Sequence, residues 1–108
     1  MIKEIYLDTE TTGLDPHKGN HRIIDLACIE YEDSAPTGNV FKLKINPEGK
    51  KSNKGAFRVH GILDEELVGL PTFKDIHEQF INFIKDRHLV IFKAEFDLKF
   101  LNAELNRL

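Results

Sequence analysis

Hydrophobic and polar positions along the chain fall into short runs, and the period of each run predicts an element. "IKEIYL" (Ile2 to Leu7) is apolar enough for a buried strand that stops at Asp8. "RIIDLACIEYE" (Arg22 to Glu32) is a second strand, with its alternation through Ile24, Leu26, Ala27 or Cys28 and Ile29 blurred enough to suggest cover on both faces. "SAPTGN" (Ser34 to Asn39) carries Pro and Gly and reads as a turn. "VFKLKI" (Val40 to Ile45) alternates cleanly, as an antiparallel strand with one wet face does. A polar loop follows from Asn46 to Gly55, then "AFRVHGI", then a short helical turn opening at Asp64. Thr72 is placed as an N-cap, with Asp75 three residues on closing a capping box. Phe73, Ile76, Phe80, Phe83 and Ile84 recur at helical spacing and predict a helix from Phe73 to Arg87. "LVIF" (Leu89 to Phe92) is a short buried strand. A last helix, from Ala94 or Glu95 to Leu108, sets Leu98, Leu101, Leu105 and Leu108 on one face.

The order strand, strand, strand, helix, strand, helix predicts an α/β fold. Three antiparallel strands form a meander, and a crossover helix leads to a fourth strand parallel to the first. The carboxyl ends of the first and fourth strands then lie side by side, and at such an edge open α/β sheets bind ligands.

The residues at that edge are acidic. Asp8 and Glu10, in "YLDTETTGLDP", follow the first strand two residues apart, so both carboxylates can reach one point. Asp97 lies just after the fourth strand, in the first turn of the last helix, and the topology brings it to the same place. Three converging carboxylates repel one another unless a hard cation sits among them, and an all-oxygen ligand set favours Mg²⁺ or Mn²⁺ over zinc. The competing reading makes each a separate cap; the helix dipole alone favours an acid at Asp97.

Composition narrows the class. The chain has 108 residues, one domain's worth, with 41% apolar and 31% charged residues, as in ordinary globular proteins. No apolar run approaches the roughly 20 residues that span a bilayer, and Lys3 and Glu4 interrupt any signal-peptide core, so a membrane location is not expected. Cys28 is the single cysteine, which suits a reducing cytoplasm. The net charge is −3, yet Lys42, Lys44, Lys50, Lys51, Lys54 and Arg58 cluster against Glu48 alone. Such a segment is either a solvated loop or a phosphate-facing one.

"LDTETTGLDP", "HRIIDLACIE", "FRVHGI" and "FDLKFLNAEL" together resemble the DEDD-type 3′–5′ exonucleases, most closely the proofreading epsilon type of bacterial DNA polymerase III. The resemblance covers nearly the whole chain and implies an RNase H-like fold. It implies a hydrolase that releases nucleotides from the 3′ end of single-stranded DNA, with polymerase III subunits as partners. Asp8, Glu10 and Asp97 match the family's metal ligands. Two divalent ions about 4 Å apart would activate a water and stabilise the leaving oxygen. By the same resemblance the backbone at Thr11, Thr12 and Gly13 approaches the terminal nucleotide, Leu14 and Phe96 flank its base, and Val59 and His60 line the sugar. Read without it, Leu14 and Phe96 are as well explained as core, and His60 as a loop histidine. His17, His21, His77 and His88 read as surface or packing residues.

Three departures accompany the likeness. Phe92, Lys93 and Ala94 stand where family members carry His-Asn-Ala, and Gly55 stands where epsilon-type chains carry an acid. No residue here matches the general-base histidine and fourth aspartate of the family's third motif, so the domain is expected to be incomplete at its C-terminal side and weakly active or inactive. The alternatives are a short-RNA exonuclease of the same superfamily, or a non-catalytic module that binds nucleic acid or a polymerase subunit.

Overall fold

The structure is a computed structural model and describes residues 2–108. Its elements run β1 (Lys3–Thr11), β2 (Ile23–Glu32), β3 (Ala35–Lys44), α1 (Lys54–His60), a 3-10 turn (Asp64–Leu67), α2 (Phe73–Ile84), β4 (His88–Ile91) and α3 (Ala94–Asn106). The sheet order is β3-β2-β1-β4. β1 and β3 run antiparallel to β2, and β4 pairs parallel with β1, the mixed α/β arrangement expected from the element order.

Odd-numbered positions of β1 face the core. Ile5 and Leu7 pack with Leu26 and Cys28 of β2 against Phe73, Ile76 and Phe80 of α2 and Phe100 and Leu101 of α3. Even-numbered positions face the other side, which no helix of α2 or α3 covers. Cross-strand register extends that open face in rows: Tyr6 beside Ile29 and Val40, Asp8 beside Ala27 and Lys42, Glu10 beside Asp25 and Lys44. Tyr6, Ile29 and Val40 are exposed there, so β2 is covered on one face over most of its length, not on both as the blurred alternation suggested. The blur has a local cause. A bulge between Glu10 and Thr11 leaves Ile24 without a partner in register, and Ile24 packs with Ile62 and Leu67 in a second small cluster.

Several boundaries differ from those read in the sequence. β1 continues through Asp8 and Glu10 to Thr11, because its ladder with β2 persists and those carboxylates point to the open face. The turn before β3 is only Asp33 and Ser34, whose φ values of 52° and 67° fit a two-residue hairpin; "APTGN" belongs to the strand. Pro36 is tolerated because β3 is an edge strand. Helix α1 replaces the expected loop. Asn53 caps its start by accepting the Ala56 N–H at 2.8 Å, and Gly61 ends it at φ 66°. Helix α2 carries the expected capping box but stops at Ile84, and Asp86 turns the chain with φ 60°. β4 is half-exposed and not buried, since it forms the other sheet edge. In α3 the buried stripe is Asp97, Phe100, Leu101, Ala103 and Glu104, while Leu98 and Leu108 are exposed. Both buried acids of α3 are bonded inward, Asp97 to β1 and Glu104 to the start of β2, which rotates the helix off its leucine face.

No helix of the described residues is long and apolar enough to cross a membrane. Cys28 is buried, and burial pushes its thiol up to about 12, so it is inert at neutral pH.

A buried acid closes the far end of the sheet. Glu30 accepts from Arg87 Nε at 2.5 Å, from Asn39 Nδ2 at 2.9 Å and from Thr37 Oγ1 at 2.9 Å. The Arg87 bond above all, with those to Asn39 and Thr37 working against burial, lowers its carboxyl from 4.5 to about 2. A lowered folded pKa stabilises the fold above the unfolded value and loses that contribution as pH falls through the folded one. Melting temperature should therefore drop between pH 4.5 and about 2 more steeply in the wild type than in Glu30→Gln, which should itself melt lower at neutral pH because Arg87 loses its carboxylate. Calorimetric scans across that range check both.

Candidate active site

Strand alternation divides the three acids between two sides of β1. Asp8 and Glu10 project from the open face, and Thr9 between them projects toward the core. The Thr9 hydroxyl donates to Asp97 Oδ1 at 2.7 Å, and its N–H donates to Asp8 Oδ1 at 3.0 Å. Asp97 is buried in the first turn of α3 and comes to the tip of β1 from the core side. One cavity of about 1230 Å³ at this tip is lined by Asp8, Glu10, Thr11, Gly13, Leu14, Val59, His60, Phe96 and Asp97, nine of the ten residues singled out in the sequence. The tenth, Thr12, is fully buried and does not line it.

The acids act on one another. Burial raises the Glu10 carboxyl, and Asp8, Asp25 and Asp97 raise it further against the pull of Lys93. Burial also raises Asp97; the Thr9 bond opposes this, and the charge of Asp8 adds to it. Asp25 was not singled out by the sequence reading. It sits opposite Glu10 on β2 and is raised by burial, with Lys44 and Lys42 pulling it down and Asp8 pushing it up. Its signal was present: an acid inside "RIIDLACIE", a run otherwise fit for a core strand.

This excess of negative charge and all-oxygen donor set suit a hard divalent cation. As placed, however, no three of the described His, Cys, Asp and Glu residues stand as a ready-made ligand group. Asp97 spends one oxygen on Thr9, on the opposite side of the β1 backbone from Asp8 and Glu10. Asp8, Glu10 and Asp97 all line the cavity and are the acids available to an ion there, Asp97 with its Oδ1 also accepting the Thr9 hydroxyl. Lys93 lines the same cavity and is felt by both Glu10 and Asp97, yet it makes no ion pair among the described residues.

The turn after β1 is braced from below. Thr12 donates its N–H to Arg22 O at 2.9 Å, and its hydroxyl accepts the Arg22 N–H at 2.9 Å and lies 2.9 Å from His21 Nδ1. The His21 ring fills the space a side chain at Gly13 would need: a Cβ there would meet ring atoms at 2.4 to 2.5 Å. Glycine is required here by close packing from inside, whatever approaches from the cavity. Arg22 in turn is clasped by the buried Glu104 of α3, at 3.0 and 3.1 Å from Nε and 2.7 Å from Nη2.

Across the cavity, α1 presents Val59 and His60, with Val59 exposed. His60 Nδ1 accepts the Ile62 N–H at 2.9 Å, which places the ring proton on Nε2, 3.2 Å from Ser52 Oγ. That tautomer makes His60 a donor toward Ser52 and no base for it. Burial lowers its pKa, partly offset by the Thr11 backbone and by Asp64 and Asp25. Leu14 is exposed at the mouth; Phe96 leans on Phe100 with ring centroids 4.9 Å apart.

Gly13→Ala should destabilise the chain by about 1–3 kcal/mol, the usual cost of overpacking. The double variant Gly13→Ala/His21→Ala should cost less than the sum of its parts, because removing the ring frees the space. Urea titrations of the four proteins in the cycle measure this.

Solved structures share this fold. Escherichia coli exonuclease I in complex with a dA16 oligonucleotide superposes with a TM-score of 0.87 at 16% identity, covering 99% of this chain and 24% of that one. The zinc-bound form of the E. coli exonuclease I–ssDNA complex gives the same TM-score at 16% identity and the same coverage. Among curated relatives, the DNA polymerase III subunit epsilon of Rickettsia felis is 48% identical over 107 residues, 99% of this chain and 46% of the relative. That of E. coli K12 is 38% identical over 111 residues, 100% of this chain and 45% of the relative. The chain thus spans about half the length of the curated relatives it matches. A family model described as exonuclease, RNase_T, matches residues 5–108, and the chain belongs to that exonuclease family.

Proposed function

We propose that the chain provides part of the active site of a 3′–5′ exonuclease of the polymerase III epsilon type. It would act on the terminal phosphodiester of a single strand. The observation that carries this is the convergence of Asp8, Glu10 and Asp97 on one cavity also lined by Leu14, Phe96, Val59 and His60, a surface apolar enough to hold a terminal nucleoside. Similarity to relatives named as epsilon subunits supports the polymerase context and a DNA substrate.

Asp8 and Glu10, with Asp97 beside them in the cavity, would hold Mg²⁺ or Mn²⁺, which would supply charge neutralisation at the phosphate and an acidified water. The residues supply the rest. Asp97, fixed by Thr9, keeps the potential behind β1 negative, so cations are drawn to the tip. Leu14 and Phe96 bracket the base. The Thr11–Gly13 backbone, held by Thr12 and His21, stays rigid beside the sugar and phosphate. Lys93 offers a cation to a phosphate oxygen. No histidine of the described residues sits as a free base against the carboxylates, since His60 is held as a donor toward Ser52. These residues as a single domain should therefore bind ions weakly and turn over slowly.

Incubation with a 3′-labelled single strand and Mn²⁺ should release mononucleotides, and Asp8→Ala should lower that release by at least about 10²-fold. Binding without any release, unaffected by Asp8→Ala, would instead support a non-catalytic module.

A second prediction separates metal binding from folding. A carboxyl whose folded pKa is raised costs stability above that pKa, and the cost is relieved as pH falls through it. Glu10→Gln removes such a carboxyl. It should therefore melt higher than wild type at pH 7 in EDTA, yet lose the rise in melting temperature that saturating Mn²⁺ gives the wild type. Parallel thermal scans with and without Mn²⁺ read out both changes.

A further inference from the structure

The basic segment noted in the sequence is divided by the fold, and one part of it shares a face with the acids. Lys42 and Lys44 lie on the open face of β3 because Phe41 and Leu43, their neighbours, turn inward to the core. The register carries Lys42 through Ala27 to Asp8, and Lys44 through Asp25 to Glu10. Two strand spacings, about 10 Å, separate the lysines from the acids along each row. Both lysines are exposed, and neither makes an ion pair among the described residues.

From the exonuclease reading above, we propose that Lys42 and Lys44 form a phosphate track for the single strand whose 3′ end enters the cavity. They would contact the backbone just upstream of the terminal nucleotide. The acidic tip alone would repel a polyanion; two cations on the same face, two strands to the side, offset that repulsion and give the strand a direction of approach. Edge-strand lysines also discourage strand addition, but that role needs neither their face nor their alignment with Asp8 and Glu10. The chemistry recognised is the sugar–phosphate backbone, so the track contributes affinity without base sequence preference.

The test is binding of a 5′-fluorescein oligothymidylate in EDTA, by anisotropy, across a salt series. Each phosphate contact on a single strand contributes about 0.7 to the slope of log K against log salt, so Lys42→Gln/Lys44→Gln should lower the slope by about 1.4 and weaken binding roughly tenfold at low salt. Lys74→Gln/Lys85→Gln, on and after α2, removes the same charge elsewhere and should leave the slope unchanged. Thymidine monophosphate competition should be equal in all three proteins, because a mononucleotide does not reach β3. A wild-type slope in the Lys42/Lys44 variant, or an equal loss in the Lys74/Lys85 control, overturns the track while leaving the exonuclease reading standing. A wild type that binds no oligonucleotide at any salt overturns both. A protein partner covering this face in place of a strand would also leave the slope unchanged.

Discussion

The hydrogen bond from the Thr9 hydroxyl to Asp97 ties the two halves of the site together. It joins β1 to α3 at the point where the chain has spent most of its length returning to its start. It also decides what each acid can do. Because Thr9 faces the core, Asp97 must come from the core side, buried in the first turn of α3. Asp8 and Glu10, one residue to either side, are left on the open face. A strand's period of two makes this partition unavoidable once the ladder with β2 runs through Thr11.

The partition has an energetic consequence. The charge of Asp8 raises the proton affinity of Glu10, Asp25 and Asp97, and Asp25 and Asp97 add to that of Glu10; Lys93, the Thr9 bond to Asp97, and Lys44, Lys42 and His60 beside Asp25 pull the other way. The fold carries this repulsion because it is braced elsewhere. Glu104 clasps Arg22 and the Ile23 N–H, and through the Arg22–Thr12 bonds fixes the turn after β1. Glu30 gathers Arg87, Thr37 and Asn39 at the opposite end of the sheet. Two buried acids fully bonded for structure thus flank a group of acids left short of partners, the pattern of a site poised for a cation.

Much of this was legible in the sequence, for identifiable reasons. The strand-to-helix order gave the sheet, and "DTETTG" with Asp97 gave the acids, because spacing and topology alone bring those residues to one tip. What the sequence hid were features that depend on partners far along the chain. β1 looked finished at Leu7, since Asp8 reads as an end only if its face is assumed buried. Helix α1 was missed although Asn53 and Gly61 mark both its ends. The leucines of α3 suggested a core face that Asp97 and Glu104 displace, and no local pattern reveals that two carboxylates will be the buried stripe. Thr12 stands out in the motif for its backbone; that its hydroxyl is bonded to Arg22 and His21 could not be read there, because only the hairpin brings those residues close.

The central claim is that the tip of β1 is a divalent-metal site on which Asp8, Glu10 and Asp97 converge. Anomalous diffraction from crystals of this chain grown with Mn²⁺ tests it most directly. The account predicts manganese density on the open face, bonded to carboxylate oxygens of Asp8 and Glu10. Manganese bound elsewhere, with those two carboxylates unliganded at saturating ion, would contradict it.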